Sequence, residues 1–400
     1  MYADEVLSFS KSLSEELKNL RRDFHQYPEL SFKEFETARK IAIYMKELGC
    51  EVEENVGKTG VVALLKGAYD GLTIAIRADI DALPVKEMTG LPYASKNEGV
   101  MHACGHDIHT TCALGAAKIL ASLKDELQGS IKFIFQPAEE INLGAKAMIE
   151  EGVLENPDVS MIFGLHNNPE IPIGKVGVKE GPLMAAVDST FITVMGKGGH
   201  AAYPHRVIDP IVCTSSIVMN LQTIVSRNVD PQKAAVISFG SISGGMANNV
   251  IPDEVKLLGT VRTFDEDLRD SIENWMKRTV ENTASSLGCQ VELNYRRDLP
   301  ALINHPEATK IAMKAALEIF DEDSIVVPIP SMGGEDFALY QKRVPGCYFW
   351  LGVGNPDIDA VHPWHSPHFK ADEEALPLGA ALLALTALIA CESNESCNTK

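Results

Sequence analysis

Positive charge is scarce in this chain. Thirty-six Lys and Arg stand against 55 Asp and Glu in 400 residues, a formal net charge of −19 with histidine neutral. Phosphate contacts need cationic side chains, so this balance argues against a nucleic-acid partner and against docking on an anionic membrane. Cysteine is present but unorganised: eight residues with no CxxC pair and no dense framework. A chain of this size needs no disulfide scaffold, so reduced thiols and a cytoplasmic setting are expected. Long apolar runs are missing as well. The longest, from Leu376 to Ala390, falls short of the ~20 residues of a membrane span and is interrupted by small residues, so it reads as a buried helix. The N-terminus has early acidic residues and no apolar core segment, which reads as no signal peptide. There is no internal repeat and no low-complexity stretch. What is present is 45% hydrophobic and 23% charged, a composition of globular type.

The hydrophobic periodicity predicts helices over most of the first 48 residues, with Leu13, Leu17, Leu20 and Phe24 at helical spacing. Ser31 followed by Glu34 reads as a capping box for the next helix, and Gly49 as its C-terminal stop. Short β-type runs follow at Val61–Leu65, Leu72–Ile76, Ile131–Phe135 and Met161–Leu165, alternating with helices at 111–123 and 145–151. That alternation predicts an α/β unit. From 184 to 297 the rhythm changes to strands with helices near 209–227 and 266–287, an α+β pattern. After Leu299 the α/β character returns. The expected fold is therefore α/β in two domains. Residues 1–183 and 298–400 would form a discontinuous catalytic domain, a mixed sheet flanked by helices, and 184–297 an inserted lid or dimerisation domain.

Metal-competent side chains gather at the ends of predicted strands and in loops. The run MHACGHDIHTT holds His102, Cys104, His106 and His109, and Gly105 permits a turn that brings thiol and imidazole toward one point. The strand IKFIF runs into QPAEE, so Glu139 and Glu140 leave it in diverging directions. One can bind a metal while the other faces a water. His166 closes the apolar run MIFGLH, and HPWHSPHF carries His362, His365 and His368. Cys104, His106, Glu140, His166 and His365 make a mixed S/N/O set suited to transition metals. Five donors exceed what one structural zinc uses, so two divalent ions sharing ligands fit better.

The runs RRDFHQYPELSF, IRADIDALP, MHACGHDIH, FQPAEE, GLHNNP, GKGGHAAYPH, NVIP, GGEDFA and HSPHF occur in that order over nearly the whole chain. Together they resemble the M20 metallopeptidase superfamily, in its amidohydrolase branch of hippurate hydrolases, N-acyl-amino-acid deacylases and auxin-conjugate hydrolases. The resemblance implies that Cys104, His106, Glu140, His166 and His365 ligate two metals, with Zn, Mn, Co and Ni all admissible. It implies that Glu139 is the general base. The wider superfamily places a ligating histidine where this chain has Arg77, so no ligand is assigned there; Asp79 and Asp81 are expected to support the ligands or the fold, and Glu335 and Asp336 to buttress the metal loop without ligating.

In related dimeric enzymes the histidine of the GKGGH run, here His200, stabilises the developing oxyanion. Asn249 of NVIP and Arg262 of GTVRTF are candidates for gripping a substrate carboxylate; Arg262 reads equally as a solvated strand residue. His109, His205, His362 and His368 are left as neighbours of the site. The implied activity is hydrolysis of a small N-acyl amino acid (acetyl, benzoyl or similar) in a homodimer or higher homo-oligomer formed through the inserted domain. The alternatives are a carboxypeptidase or dipeptidase with the same chemistry, and a catalytically inert metal-binding module.

Overall fold

The computed structural model describes residues 2–393 and divides into two compact units. The first comprises Met1–Leu183, Ile303–Ile329 and Asp336–Lys400; the second comprises Met184–Leu302 and Pro330–Glu335.

The first unit is built on an eight-stranded mixed sheet. In spatial order its strands are Glu51–Val56, Gly60–Lys66, Gln128–Gln136, Tyr69–Asp79, Val159–Pro172, Gly346–Gly354, Val176–Gly177 and Ile325–Val326. The four central strands run parallel; Gly60–Lys66 and Val176–Gly177 join them antiparallel on either side, and the last strand, Ile325–Val326, pairs parallel with Val176–Gly177. Parallel strands covered on both faces are apolar throughout rather than alternating. Gly346–Gly354 accordingly has every residue buried. The apolar C-terminal run forms the helix Ala375–Glu392, with mean hydropathy 1.9 and 89% of it buried inside the unit.

That helix packs on another, His106–Ser122. A Cβ on Gly379 would lie 2.6 Å from Cys112 Sγ, so glycine permits the close approach. The contact seats the helix whose first turn carries His106 and His109.

Several sequence expectations shift here. The first helical stretch breaks at Leu13 into Ala3–Ser12 and Ser14–Gln26. The helix expected from residue 111 begins five residues earlier, at His106. The Ser31/Glu34 capping box does not form: the helix starts at Phe35 without a side-chain cap. Phe32 sits at φ 58°, which turns the chain away, and Glu34 is wholly buried. Its carboxylate accepts from Phe32 N, Thr59 Oγ1 and Ala138 N instead. His166 does not end its strand but lies inside Val159–Pro172.

The second unit is a four-stranded antiparallel sheet in the order Ala235–Ser243, Glu254–Thr263, Ala186–Met195, Gln290–Leu299. Helices Pro210–Arg227 and Glu266–Ser286 supply the rest of its core, with Ile217, Leu221, Ile272 and Met276 packed against Ile192 and Leu257. Asp209 and Asp265 cap the two helices by accepting from Ile211 N at 2.8 Å and Leu268 N at 2.7 Å. Strand Ala186–Met195 shows the period-2 burial of a sheet with one covered face.

Candidate metal centre

The site lies where parallel strands of the first unit end. Tyr69–Asp79 delivers Asp79 and, two residues on, Asp81. Its neighbour Gln128–Gln136 delivers Glu139 and Glu140. Open α/β sheets place their chemistry at such carboxyl ends. The loop between them is held by charge. Arg77 is fully buried and donates to Asp79 at 2.7 Å, Gln136 at 2.9 Å and Asp336 at 2.9 Å. Asp336 in turn accepts from Gln136 Nε2 and from Ala145 N. The guanidinium that stands where a ligand was not expected thus fastens both strand ends.

All five expected ligands of the first unit come together. Cys104 Sγ lies 3.6 Å from His166 Nε2, and His365 Nε2 lies 3.5 Å from Glu140 Oε2. Donor atoms of Cys104, His106 and His166 all fall within 4.8 Å of one another, and so do those of Cys104, Glu140 and His365. The two sets share the Cys104 thiol. In a further set, Asp79, His106 and His109, two members are already engaged with each other: His109 Nδ1 lies 2.6 Å from Asp79, and His109 Nε2 accepts from Asn167 N at 2.9 Å.

Whether these residues suit a cation is answered by His106. Its Nδ1 donates to Asp81 Oδ1 at 3.2 Å, which directs Nε2 inward. Nε2 is buried without a hydrogen-bond partner among the described residues, and so is Glu140 Oε1. Carboxylate oxygens of Asp79, Glu139 and Glu140 stand 3.8, 3.9 and 3.8 Å from that nitrogen. Buried polar atoms are nearly always paired, and these converge on a common point too far apart to pair with each other. The residues fit a metal.

The electrostatics agree. Burial opposes charge on His106, but Asp79, Asp81 and Glu140 outweigh it and raise its pKa to about 10. Burial pushes Glu140 up to about 7 against the pull of His106, with Asp81 and Asp79 adding to the rise. Protons thus gather where carboxylates crowd, which is where a cation would replace them. His166, buried and beside His109, is held well below the usual histidine range and stays neutral, the form that ligates.

Asp81, which the sequence marks as a support of the ligands or of the fold, is the organiser of the site. One carboxylate oxygen takes His106 Nδ1 and Glu139 N at 3.2 Å; the other takes Glu140 N at 3.1 Å and Ser31 Oγ at 2.7 Å. It therefore fixes a ligand ring and the backbone of the glutamate pair together. Ser31, expected as a helix cap, serves this carboxylate instead.

In the second unit, Gly199–His200 pairs with Val250–Ile251, and Ala201 N donates to Asn249 O at 3.0 Å, so His200 and Asn249 lie on adjoining segments. Arg262 is not brought to them. It lies near the far end of Glu254–Thr263, eight residues from Glu254, which at about 3.4 Å per residue is roughly 27 Å along the strand. Its guanidinium donates to Thr260 Oγ1 and Val261 O.

The family model for "Peptidase family M20/M25/M40" matches residues 75–388, which spans every site segment of the first unit. The chain belongs to this family. It is similar to an N-acetylcysteine deacetylase of Bacillus subtilis (strain 168), at 45% identity over 384 residues, covering 96% of this chain and 99% of the relative. It is also similar to thermostable carboxypeptidase 1 of Saccharolobus solfataricus, at 42% identity over 373 residues, covering 92% and 94%. Among solved structures it resembles a dinuclear metal-binding M20 peptidase of Bacillus subtilis, with TM-score 0.85, 43% identity and coverage of 96% and 99%. This M20 chain is a hydrolase of linear amide bonds.

Proposed function

We propose that the enzyme hydrolyses the amide bond of N-acyl amino acids, releasing a carboxylic acid and a free amino acid. The observation that carries this reading is the pair of donor sets sharing Cys104 beside a glutamate pair whose two backbone N–H groups are held by one carboxylate. Cys104, His106 and His166 would hold one divalent ion, and Cys104, Glu140 and His365 the other. The donor set suits Zn, Co, Ni or Mn. When bound, such ions acidify water and polarise the acyl oxygen.

The chain's own residues do the rest. Glu139, at the end of its strand and buried beside His106, takes the proton of the attacking water as general base. The same carboxyl then gives the proton to the departing amine nitrogen. His200 is assigned the oxyanion and donates a hydrogen bond to it. Asn249 offers its amide to the substrate carboxylate. Arg262 is the remaining carboxylate candidate, and the strand distance weakens it as a partner of Asn249. A homodimer formed through the inserted unit, and a cytoplasmic location, complete the reading.

The deacetylase relative supports a small acyl group. The carboxypeptidase relative supports a second reading, cleavage of peptide bonds by the same residues. One substrate panel separates them: N-acetyl amino acids, hippurate and unmodified dipeptides, assayed with apo protein reloaded with each metal. The first reading requires kcat/KM for an N-acyl amino acid to exceed that for every dipeptide. The reverse order establishes the peptidase.

A further inference from the structure

Asn167 follows His166 in the strand and is completely buried. No expectation attaches to it from the sequence, yet its side chain has three polar partners within the site. Its Nδ2 donates to the Cys104 carbonyl at 2.6 Å and lies 2.8 Å from His109 Nε2. Its Oδ1 accepts from Trp364 Nε1 at 3.2 Å, and its backbone N–H also points to His109 Nε2, at 2.9 Å.

These contacts fix every proton. His109 Nε2 receives two N–H groups and must be the bare nitrogen, so Nδ1 carries the hydrogen and donates it to Asp79 at 2.6 Å. The amide has one orientation only. Turned over, Oδ1 would face the Cys104 carbonyl, and the NH2 would face the Trp364 N–H. The turn that presents Cys104 presses on the same group: Gly105 sits at φ 81°, and a Cβ there would lie 2.4 Å from Nδ2.

The reach of this amide is the point. Cys104 and His106 lie on the turn it holds, His166 is its chain neighbour, and His365 follows Trp364. We propose that Asn167 is a positioning residue that clamps three ligand-bearing segments into one metal site, with Asp79 and His109 setting its direction from behind. It acts through the Cys104 carbonyl and the Trp364 indole, and touches neither substrate nor metal. The inference rests on the metal-site reading above.

The test measures metal rather than turnover. Wild-type, Asn167→Ala and Trp364→Phe proteins are titrated with Co(II), following bound metal per chain by elemental analysis and the thiolate-to-cobalt charge-transfer absorption. Loss of a group that orients a ligand weakens metal affinity about 10–100-fold. The expected result for Asn167→Ala is a loss of that size with a diminished thiolate band and unchanged far-ultraviolet circular dichroism. Trp364→Phe, which keeps the Cys104 and His109 contacts but removes the indole N–H together with part of a ring that packs on His166 and Trp350, should show a smaller loss in the same direction. A folded Asn167→Ala protein with wild-type affinity and band overturns the proposal. Should that variant not fold, wild-type affinity and band in Trp364→Phe overturn it instead. If the wild type takes up no Co(II), the metal reading falls and this inference with it; wild-type uptake with unchanged variants removes this inference alone.

Discussion

Both units bury charge, and they use it differently. In the first unit the buried Arg77–Asp79–Asp336 group, and Asp81 beside it, are wired to residues that bear metal donors or the glutamate pair. In the second unit Arg269 grips Asp188, Tyr295 donates to the same carboxylate at 2.6 Å, and Arg269 also donates to Leu299 O at 2.8 Å. None of these four residues is assigned chemistry. Of the residues that are, His200 and Asn249 stand exposed and Arg262 is half-buried. The difference teaches what buried charge is for in each place. In the first unit it preorganises donors that must hold a fixed geometry, and in the second it locks a sheet to a helix.

The sharpest way to break this comparison is Glu139→Gln. If the first unit's polar groups serve chemistry, the variant should fold and bind metal as the wild type does while losing about 10²–10⁴-fold in kcat, the range of general acid–base catalysis. Metal content by elemental analysis and steady-state rates on the N-acyl substrate measure it. Full turnover would show that the carboxyl is merely structural.

The counterpart in the second unit is Asp188→Ala. Arg269 and Asp188 are 5% and 2% exposed, so the variant takes the nearer carboxylate from a buried guanidinium and leaves it Glu266 at 3.4 Å and the Leu299 carbonyl. Breaking such a pair costs about 3–5 kcal/mol. The expected outcome is a clear fall in the urea midpoint, with metal content per folded molecule unchanged. A midpoint within error of wild type would erase the distinction between the two units.

The side chains that converge as candidate metal donors were legible because each is of a telling type inside a recognisable run. The sheet was legible wherever burial on both faces left an unbroken apolar string, as in Ile131–Phe135. Which atoms the supporting residues hold was not. Asp81 acts on the backbone N–H groups of Glu139 and Glu140, and Asn167 on the Cys104 carbonyl; a contact with main chain leaves no pattern in the partner's sequence. His166 looked like a strand end because the apolar run stops there. The strand continues because Asn167 and Asn168 are buried in the polar interior of the site rather than facing water. Ser31 and Glu34 have the spacing of a capping box, but the positive φ at Phe32 and the pull of Thr59 and Ala138 on Glu34 outweigh local propensity.

Glu34 also supplies the smallest effect and sharpens the contrast from inside the first unit. Burial raises its pKa from 4.5 to about 6, with Asp81 adding to the rise, while the hydrogen bond from Thr59 opposes it. The folded protein therefore binds this proton more tightly than the unfolded chain does. Between pH 4.5 and 6 the native state holds more protons, so this residue's contribution to stability falls as pH rises through that window. A shift of this size corresponds to about 2 kcal/mol, fully lost above pH 6. Glu34→Gln removes the titrating group. Neutral Gln stands in for the protonated acid, so urea midpoints of wild type and variant should lie nearest each other at pH 4.5 and separate at 5.25 and 6.5, the wild type falling, if the two share every other ionisation. Parallel curves would mean that the three donors to this carboxylate hold it ionised throughout, as the Arg77 group holds Asp79.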